Sequence, residues 1–419
     1  MTHPHSGVHA QLDALLSADP QAMFAELVRA GLQALIEAEA SAKIGADRYE
    51  RSEDRKTHRN GHRTKTVSTP VGDIEARIPK LRAGSFFPAL LERRRRIDRA
   101  LYAVIMQAYV HGVSTRAVDD LVRALGVDTG ISKSEVSRIC ADLDAEVEAF
   151  RTRTLAHTEF PYIFADATFC KVRIGAHVVS HAMVVATGVS ADGTREVLGT
   201  AVGDSESYEF WNDFLRSLKA RGLSGVHLVI SDAHAGLKAA VAKQFVGATW
   251  QRCRVHFMRN LHGAVASKHS PAVTAAVKTI FAHTDPKEVA EQWDQVADTF
   301  AGPFPKAHAM MREAKTDVLA FTGFPRGHWQ KIWSNNPIER LNKEIKRRAD
   351  VVEIIPNPAA FLRLATAVAI ETHDEWQVRR RYLSEVSMAE LRKVIAAKQA
   401  ALDASNGYHQ ESELVDHCD

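Results

Sequence analysis

Three acidic residues stand where a carboxylate has few ordinary uses. Asp166 lies inside the apolar run Tyr162-Ile-Phe-Ala-Asp-Ala-Thr-Phe169, Asp232 ends the run Val226-His-Leu-Val-Ile-Ser-Asp232, and Glu339 lies in Ser334-Asn-Asn-Pro-Ile-Glu-Arg-Leu-Asn-Lys-Glu-Ile-Lys-Arg-Arg348. Burying a carboxylate is costly unless it is paired or binds a cation. Two such strands side by side, with a third carboxylate on a helix, form an oxygen-ligand set of the kind that hard divalent cations take. Two-metal phosphoryl chemistry runs on such a set.

Each acid has a structural alternative of different strength. Asp232 can cap the helix that follows it, with Ser231-Asp232-Ala-His as the turn. Glu339 falls at the third position of a capping box if Asn336 is the cap and Pro337 the first helical residue. Neither a cap nor a turn explains Asp166 between Ala165 and Ala167. At 100° per residue, Ile338, Leu341 and Ile345 share one stripe of the helix, and Glu339, Asn342, Lys343 and Lys346 share an adjoining face. Glu344 points about 140° away from Glu339. A carboxylate followed by two lysines suits a metal ligand whose helix then runs onto a phosphate backbone, so Glu339 is preferred to Glu344.

The elements that must position these residues are legible in the periodicity. Residues 162–174, Val178–Val189 and Glu196–Val202 read as strands, separated by Gly175-Ala176 and by the hairpin signal Asp192-Gly193. A helix over Tyr208–Arg221, a strand at 226–231, a helix over Ala235–Phe245 and a short strand near Thr249–Val255 follow. The order β-β-β-α-β-α-β makes the first and fourth strands neighbours, so that Asp166 and Asp232 face each other. Residues 256–322 are helical throughout, with Phe281, Val289, Trp293, Val296 and Phe300 as core anchors. Trp211, Trp250 and Trp293 suit a core better than base stacking.

Upstream, residues 8–46 have helical spacing, residues 47–66 read as a polar loop or mobile arm, and Val67–Pro79 reads as a small hairpin. Arg99–Tyr109 is helical again. A helix capped by Ser114 and ending at Leu125-Gly126, then a second starting at Ser132, fits a helix-turn-helix. It would present Lys133, Ser134, Ser137 and Arg138 to a major groove; any small helical hairpin has the same pattern.

The net charge of +3 hides its distribution. Arg51, Arg55, Lys56, Arg59, Arg63 and Lys65 cluster against Glu53 and Asp54; Arg93-Arg-Arg-Arg96 is unbroken; Lys343, Lys346, Arg347 and Arg348 follow Glu339. Such runs are solvated faces or the footprint of a polyanion. With 419 residues, several modules are expected. No apolar run suits a membrane span, no secretory signal is recognisable, and Cys140, Cys170, Cys253 and Cys418 are scattered. A cytoplasmic protein is expected.

The ordered set Asp166-Ala-Thr, Ser205-Glu-Ser-Tyr-Glu-Phe-Trp-Asn-Asp-Phe214, Ile230-Ser-Asp-Ala-His-Ala-Gly-Leu237, Trp250-Gln-Arg-Cys-Arg-Val-His-Phe257 and Asn335-Asn-Pro-Ile-Glu-Arg-Leu-Asn342 resembles the Mutator-type transposases of bacterial insertion sequences, over nearly the whole chain. The resemblance implies a multidomain α/β protein: a ribonuclease-H-like mixed-sheet catalytic core with an all-α insertion, after a helical DNA-binding region. It carries a DDE triad onto Asp166, Asp232 and Glu339, and maps a Cys-x-x-His element of uncertain role onto Cys253 and His256; metal binding by that pair is open. The expected regions are N-terminal helices (1–50), a DNA-binding region with basic arm and helix-turn-helix (51–157, motif 112–140), the first part of the core (158–255), the insertion (256–325), the part bearing the third acid (326–380) and a tail (381–419).

Asp166, Asp232 and Glu339 are expected to hold Mg²⁺ or Mn²⁺, two ions per site. Phosphodiester hydrolysis at an element end then frees a 3′-hydroxyl that attacks target DNA. Lys133, Ser134, Ser137, Arg138, Lys343, Lys346 and Arg347 are expected to contact the double-stranded DNA. A homodimer or larger assembly holds two ends, on the bacterial nucleoid and with no membrane. The alternatives are a ribonuclease-H-like nuclease that cuts without joining, and a transposase-derived repressor.

Overall fold

The computed structural model describes residues 20–46, 50, 52, 55–69, 72–83, 86, 95–110, 133–378 and 381–415. Two compact units divide the chain: Met1–Arg95 with Val378–Arg380, and Arg96–Gln377 with Arg381–Asp419.

In the first unit, helix α1 (Pro20–Ile44) accompanies an antiparallel hairpin, β1 (Arg59–Thr69) and β2 (Gly72–Leu81). Ile36 and Ala40, one turn apart on α1, bury with Ala76, Ile78 and Phe86. The Gln33 amide clamps β2: its Nε2 donates to Arg77 O at 2.8 Å, and its Oε1 accepts from Arg77 N at 2.9 Å. The hairpin expected over Val67–Pro79 is present but longer, and residues 59–66 are strand rather than loop or arm. The polar sequence misled because α1 satisfies it: Arg59 bonds Glu37 and, at 2.9 Å, Ser41 Oγ. Asn60-Gly61, a turn signal, instead marks a register shift between Arg59 and His62, with Gly61 at φ 75°.

The second unit takes in α2 (Arg95–Val110) from its second residue onward, and α3 (Lys133–Thr152). The first helix of the expected helix-turn-helix lies outside the described residues. Next come β3 (Tyr162–Ile174), β4 (His177–Val189), β5 (Arg195–Gly203), α4 (Tyr208–Ala220), β6 (Leu228–Ser231), α5 (Ala235–Gln244) and β7 (Thr249–Arg252). The sheet order is β5-β4-β3-β6-β7; β3, β4 and β5 pair antiparallel, while β6 runs parallel to β3 and β7 parallel to β6. The first and fourth strands of this sheet are neighbours, as the element order requires.

One face of the sheet packs Ile163, Ala165 and Val229 against Trp211, Phe214, Leu215 and Leu218 of α4 and Leu237 and Val241 of α5. Ser207 caps α4, its side chain accepting from Phe210 N, which starts the helix directly after the Asp204–Ser207 loop. Helices α6 (Arg254–Gly263), α7 (Ser270–Ile280), α8 (Pro286–Thr299) and α9 (Pro305–Val318) form the helical block between β7 and the remaining helices. Phe257, Trp293 and Met311 share a core there with Tyr162 and Phe164 of β3.

The chain returns through α10 (Trp329–Ile332), α11 (Asn336–Val352) and α12 (Pro358–Val378), and ends in α13 (Glu385–Val415). Ile338, Leu341 and Ile345 of α11 bury with Val136, Leu143 and Phe150 of α3 and Leu364 and Val368 of α12. Arg363 of α12, 3% exposed, is paired twice with Asp144 of α3, each bond 2.8 Å. Asp192-Gly193 joins β4 to β5 as its sequence predicts. Gly193 has φ 83°, and an added Cβ would lie 2.3 Å from Leu383 O, so the turn is also the seat of the segment leading into α13. Among the described residues, no helix is long and apolar enough to cross a membrane.

Candidate active site

The pairing of β3 with β6 ends at Phe164 with Ile230. Asp166 and Asp232 each stand two residues beyond that last couple, so the same register sets them level where the two strands part. The residues before them are sealed: Ile163, Phe164, Ala165, Val229, Ile230 and Ser231 have no exposed surface. Both carboxylates thus emerge from a rigid floor at the edge of a cavity of about 730 Å³. Asp166, Ala167, Phe169, the Asp204–Ser207 loop, Asp232, Ala233, His234 and His256 line it.

Helix α11 is tied to this floor. Asn335 Nδ2 donates to Ala165 O at 3.1 Å, and Asn342 Nδ2 donates to Asp166 Oδ2 at 2.8 Å. The two asparagines bracket Glu339, which lies one turn before Asn342 on the face the helical angles assign to both. Glu339 is partly buried and is not among the residues lining the cavity.

The local structure removes two of the bland explanations. The cap of α11 is Asn335, not Asn336; its side chain makes no cap bond and is spent on Ala165. Glu339 therefore sits one position beyond the capping-box site. The cap of α5 is His234, whose Nδ1 accepts from Leu237 N at 3.4 Å, not Asp232. Asp232 accepts from Ala233 N at 2.6 Å and keeps 49% of its side chain exposed.

Burial pushes the Asp166 carboxyl up to about 7; the carboxylates of Asp232 and Glu206 add to this, and the Ala167 N–H and the Asn342 amide offset it in part. Burial likewise pushes Glu206 up, with His234 opposing. His234 Nε2 lies 4.0 Å from Glu206 Oε2, and His256 Nδ1 lies 3.6 Å from Asp232 Oδ1, an approach slightly long for a hydrogen bond. The cavity thus concentrates negative charge in a partly desolvated place, an arrangement that favours a cation. Among the described residues, no three His, Cys, Asp or Glu side chains converge as a closed cage. An open pair of carboxylates still fits Mg²⁺, which is commonly held by one or two carboxylates, with water and substrate phosphates completing its shell.

Cys253 and His256 do different things. Cys253 is fully buried, its Sγ accepts from Asn335 N at 3.3 Å, and burial pushes its thiol up, whereas His256 faces Asp232. Lys343, Lys346 and Arg347 are exposed on α11, and Arg347 is paired with Glu344 at 2.9 Å. Ser137 and Arg138 are exposed on α3; Lys133 and Ser134 lie in its first turn, with side chains outside the described residues. Sequence reasoning missed Glu206, Asn335 and Asn342 as parts of the site. Asn342 had a signal, its helical angle beside Glu339; Glu206 had none beyond preceding the capping Ser207.

The family model for transposases of the Mutator family matches residues 1–379. The transposase for insertion sequence element IS1081 of Mycobacterium tuberculosis is 46% identical over 372 residues, 88% of this chain and 89% of that one. The transposase for ISRM5 of Rhizobium meliloti is 38% identical over 376 residues, covering 90% and 94%. The transposase for IS256 in transposon Tn4001 of Staphylococcus aureus is 37% identical over 353 residues, covering 84% and 90%.

Proposed function

Because the chain belongs to the Mutator family of transposases, we propose that it binds the terminal inverted repeats of an insertion sequence, cuts the DNA strand at each end, and joins the freed 3′-hydroxyl to target DNA. The observation that carries this reading is the level placement of Asp166 and Asp232 at the ends of adjacent strands, with α11 fastened to the same floor by Asn335 and Asn342. The strand order β5-β4-β3-β6-β7, with helices between the parallel strands, supports a ribonuclease-H-like core.

In this reading Asp166, Asp232 and Glu339 hold divalent cations, Mg²⁺ or Mn²⁺. When bound, such ions lower the pKa of water and stabilise charge on a phosphodiester. Asn342 holds Oδ2 of Asp166 and so fixes the direction in which the carboxylate faces the cavity. His256 stands beside Asp232 and limits its rotation. The sealed floor under both acids keeps their separation fixed while substrate enters, and fixed dipoles and charges act without reorganisation. Lys343 and Lys346, exposed beyond Glu339, take phosphates of the bound duplex, and the face of α3 bearing Ser137 and Arg138 belongs to a helix-turn-helix reader. Holding two ends together calls for a homodimer or larger assembly on the bacterial nucleoid.

The test uses the full chain, Mg²⁺, and duplexes carrying the repeats that flank its coding region. Joined products on a second DNA support strand transfer; strand breaks without joined products support a plain nuclease; specific binding without breaks supports a repressor.

A further inference from the structure

Beyond Asp166 the burial of β3 alternates. Phe169 and Lys171 are exposed and Arg173 is partly exposed, while Cys170 and Val172 between them are buried. A period of two puts Phe169, Lys171 and Arg173 on one face of the strand. Cys170 and Val172 take the other face, where they join the core with Ile338, Leu341 and Ile345 of α11. Pairing with β5 begins only at Ala182, and pairing with β6 ends at Phe164, so the outer half of the β3–β4 hairpin projects past its neighbouring strands, its β3 edge held by Ile355 through the Lys171 carbonyl and the Arg173 N–H at 2.9 Å each. On β3 one face is packed, whereas His177–Ser180 of β4 are exposed on both. The other face of β3 carries an aromatic ring and two cations.

At its inner end that face meets the carboxylate cavity, which opens where β6 stops alongside β3, so that Asp166, on the opposite face by the same period, and Phe169 both line it. Phe169 is 44% exposed and lines the cavity together with Asp166 and Asp232. Lys171 and Arg173 follow at steps of about 6.8 Å away from it. Arg173 Nε is buried and finds no hydrogen-bond partner among the described residues. An exposed ring beside a site that acts on phosphodiesters, followed by cations at regular spacing, matches the alternation of base and phosphate in an unpaired strand. Base stacking on aromatic rings and a basic track for the backbone are the general means of holding single strands.

We propose that this face guides one unpaired strand of substrate DNA out of the carboxylate cavity, Phe169 stacking on the base next to the scissile phosphate and Lys171 and Arg173 taking the phosphates beyond it. The proposal rests on the reading of the cavity as a DNA-cutting site, and names the part of the substrate it grips.

The test compares the full chain with Phe169→Ala, Phe169→Trp and the double variant Lys171→Glu with Arg173→Glu, each checked for an unchanged circular dichroism spectrum and melt. The probe is a forked duplex with 2-aminopurine at the first unpaired position of its single-stranded arm. Phe169→Ala should weaken forked-DNA binding about tenfold and abolish the fluorescence change on binding, and Phe169→Trp should keep both. The double variant should make the slope of log affinity against log salt shallower by about 1.4, two phosphate contacts on a single strand. Wild-type affinity, fluorescence response and salt slope in folded variants would overturn the proposal. So would a Val178→Asp protein that loses self-association while all variants bind DNA normally, since the face would then belong to a second copy of the chain. These readouts need no cleavage, so failure of the guide and failure of the cutting reaction appear in different measurements.

Discussion

Asn342 Nδ2 donates to Asp166 Oδ2 at 2.8 Å, across 176 residues of chain. This bond joins the helix that carries Glu339 to the strand that carries Asp166. It also holds the one carboxylate of the cavity that burial drives to about 7. Asn342→Ala should lower stability by about 1–3 kcal/mol, because a buried carboxyl loses a hydrogen-bond donor. The Mg²⁺ concentration for half-maximal cleavage should rise as well. Denaturant melts and metal titrations check both; an unchanged metal requirement would reduce Asn342 to a packing residue.

Glu339 and Glu344 separate metal binding from helix stability. Glu339 lies outside the capping-box position, so Glu339→Gln should cost little stability, within about 0.5 kcal/mol. Cleavage should nonetheless fall by orders of magnitude. Glu344 is bonded to Arg347 at 2.9 and 3.0 Å and to Arg348 at 3.1 Å on another side of the helix. Glu344→Gln should leave cleavage intact and cost at most about 1 kcal/mol, as partly exposed ion pairs do. An active Glu339→Gln protein would mean that the third ligand lies elsewhere.

The pH dependence of stability follows from Asp166. Its folded value is raised from 3.8 to about 7, so the folded protein holds the proton more tightly than the unfolded chain. The resulting stability is fully present below about 3.8 and is lost as pH rises through about 7. The loss is at most about 4 kcal/mol. Asp166→Asn removes it, so without metal the variant should melt above wild type by a margin that grows from pH 5 to pH 8. Mg²⁺ at pH 8 should raise the melting temperature of wild type and not of the variant. A margin independent of pH would contradict the burial assigned to this carboxylate.

Glu206 tests whether the cavity works as a charge cluster. Glu206→Gln removes a negative charge that pushes Asp166 up. Cleavage at saturating Mg²⁺ should survive, while the metal concentration needed should rise several-fold. A loss of all activity at any metal concentration would make Glu206 a ligand in its own right.

Much of the fold was legible because the core of the second unit obeys local rules. The strand runs 162–174, 178–189 and 196–202 match β3, β4 and β5 within a residue at most ends, and the helix over Tyr208–Arg221 is α4. Apolar periodicity fixed these elements, and the connection order alone made β3 and β6 neighbours. The first unit was harder. Strand β1 reads as a basic loop because its first cation, Arg59, is satisfied by Glu37 and Ser41 on another element, a pairing that no local window contains. The acids Asp166 and Asp232 stood out because a carboxylate at the end of an apolar strand is rare. Asn335 and Glu206 did not, since an asparagine before a helix and an acid in a loop are ordinary until tertiary structure brings them to the site.

The most direct measurement compares wild type with Asp166→Asn, full length, on a duplex carrying one element end, reading binding and Mg²⁺-dependent strand cleavage in the same samples. The expected result is end binding within about twofold of wild type and cleavage reduced by about a thousandfold or more, since loss of a metal-binding charge removes several kcal/mol of transition-state stabilisation. Cleavage by Asp166→Asn at a rate comparable to wild type, with the same metal dependence, would contradict the assignment of the active site to the ends of β3 and β6.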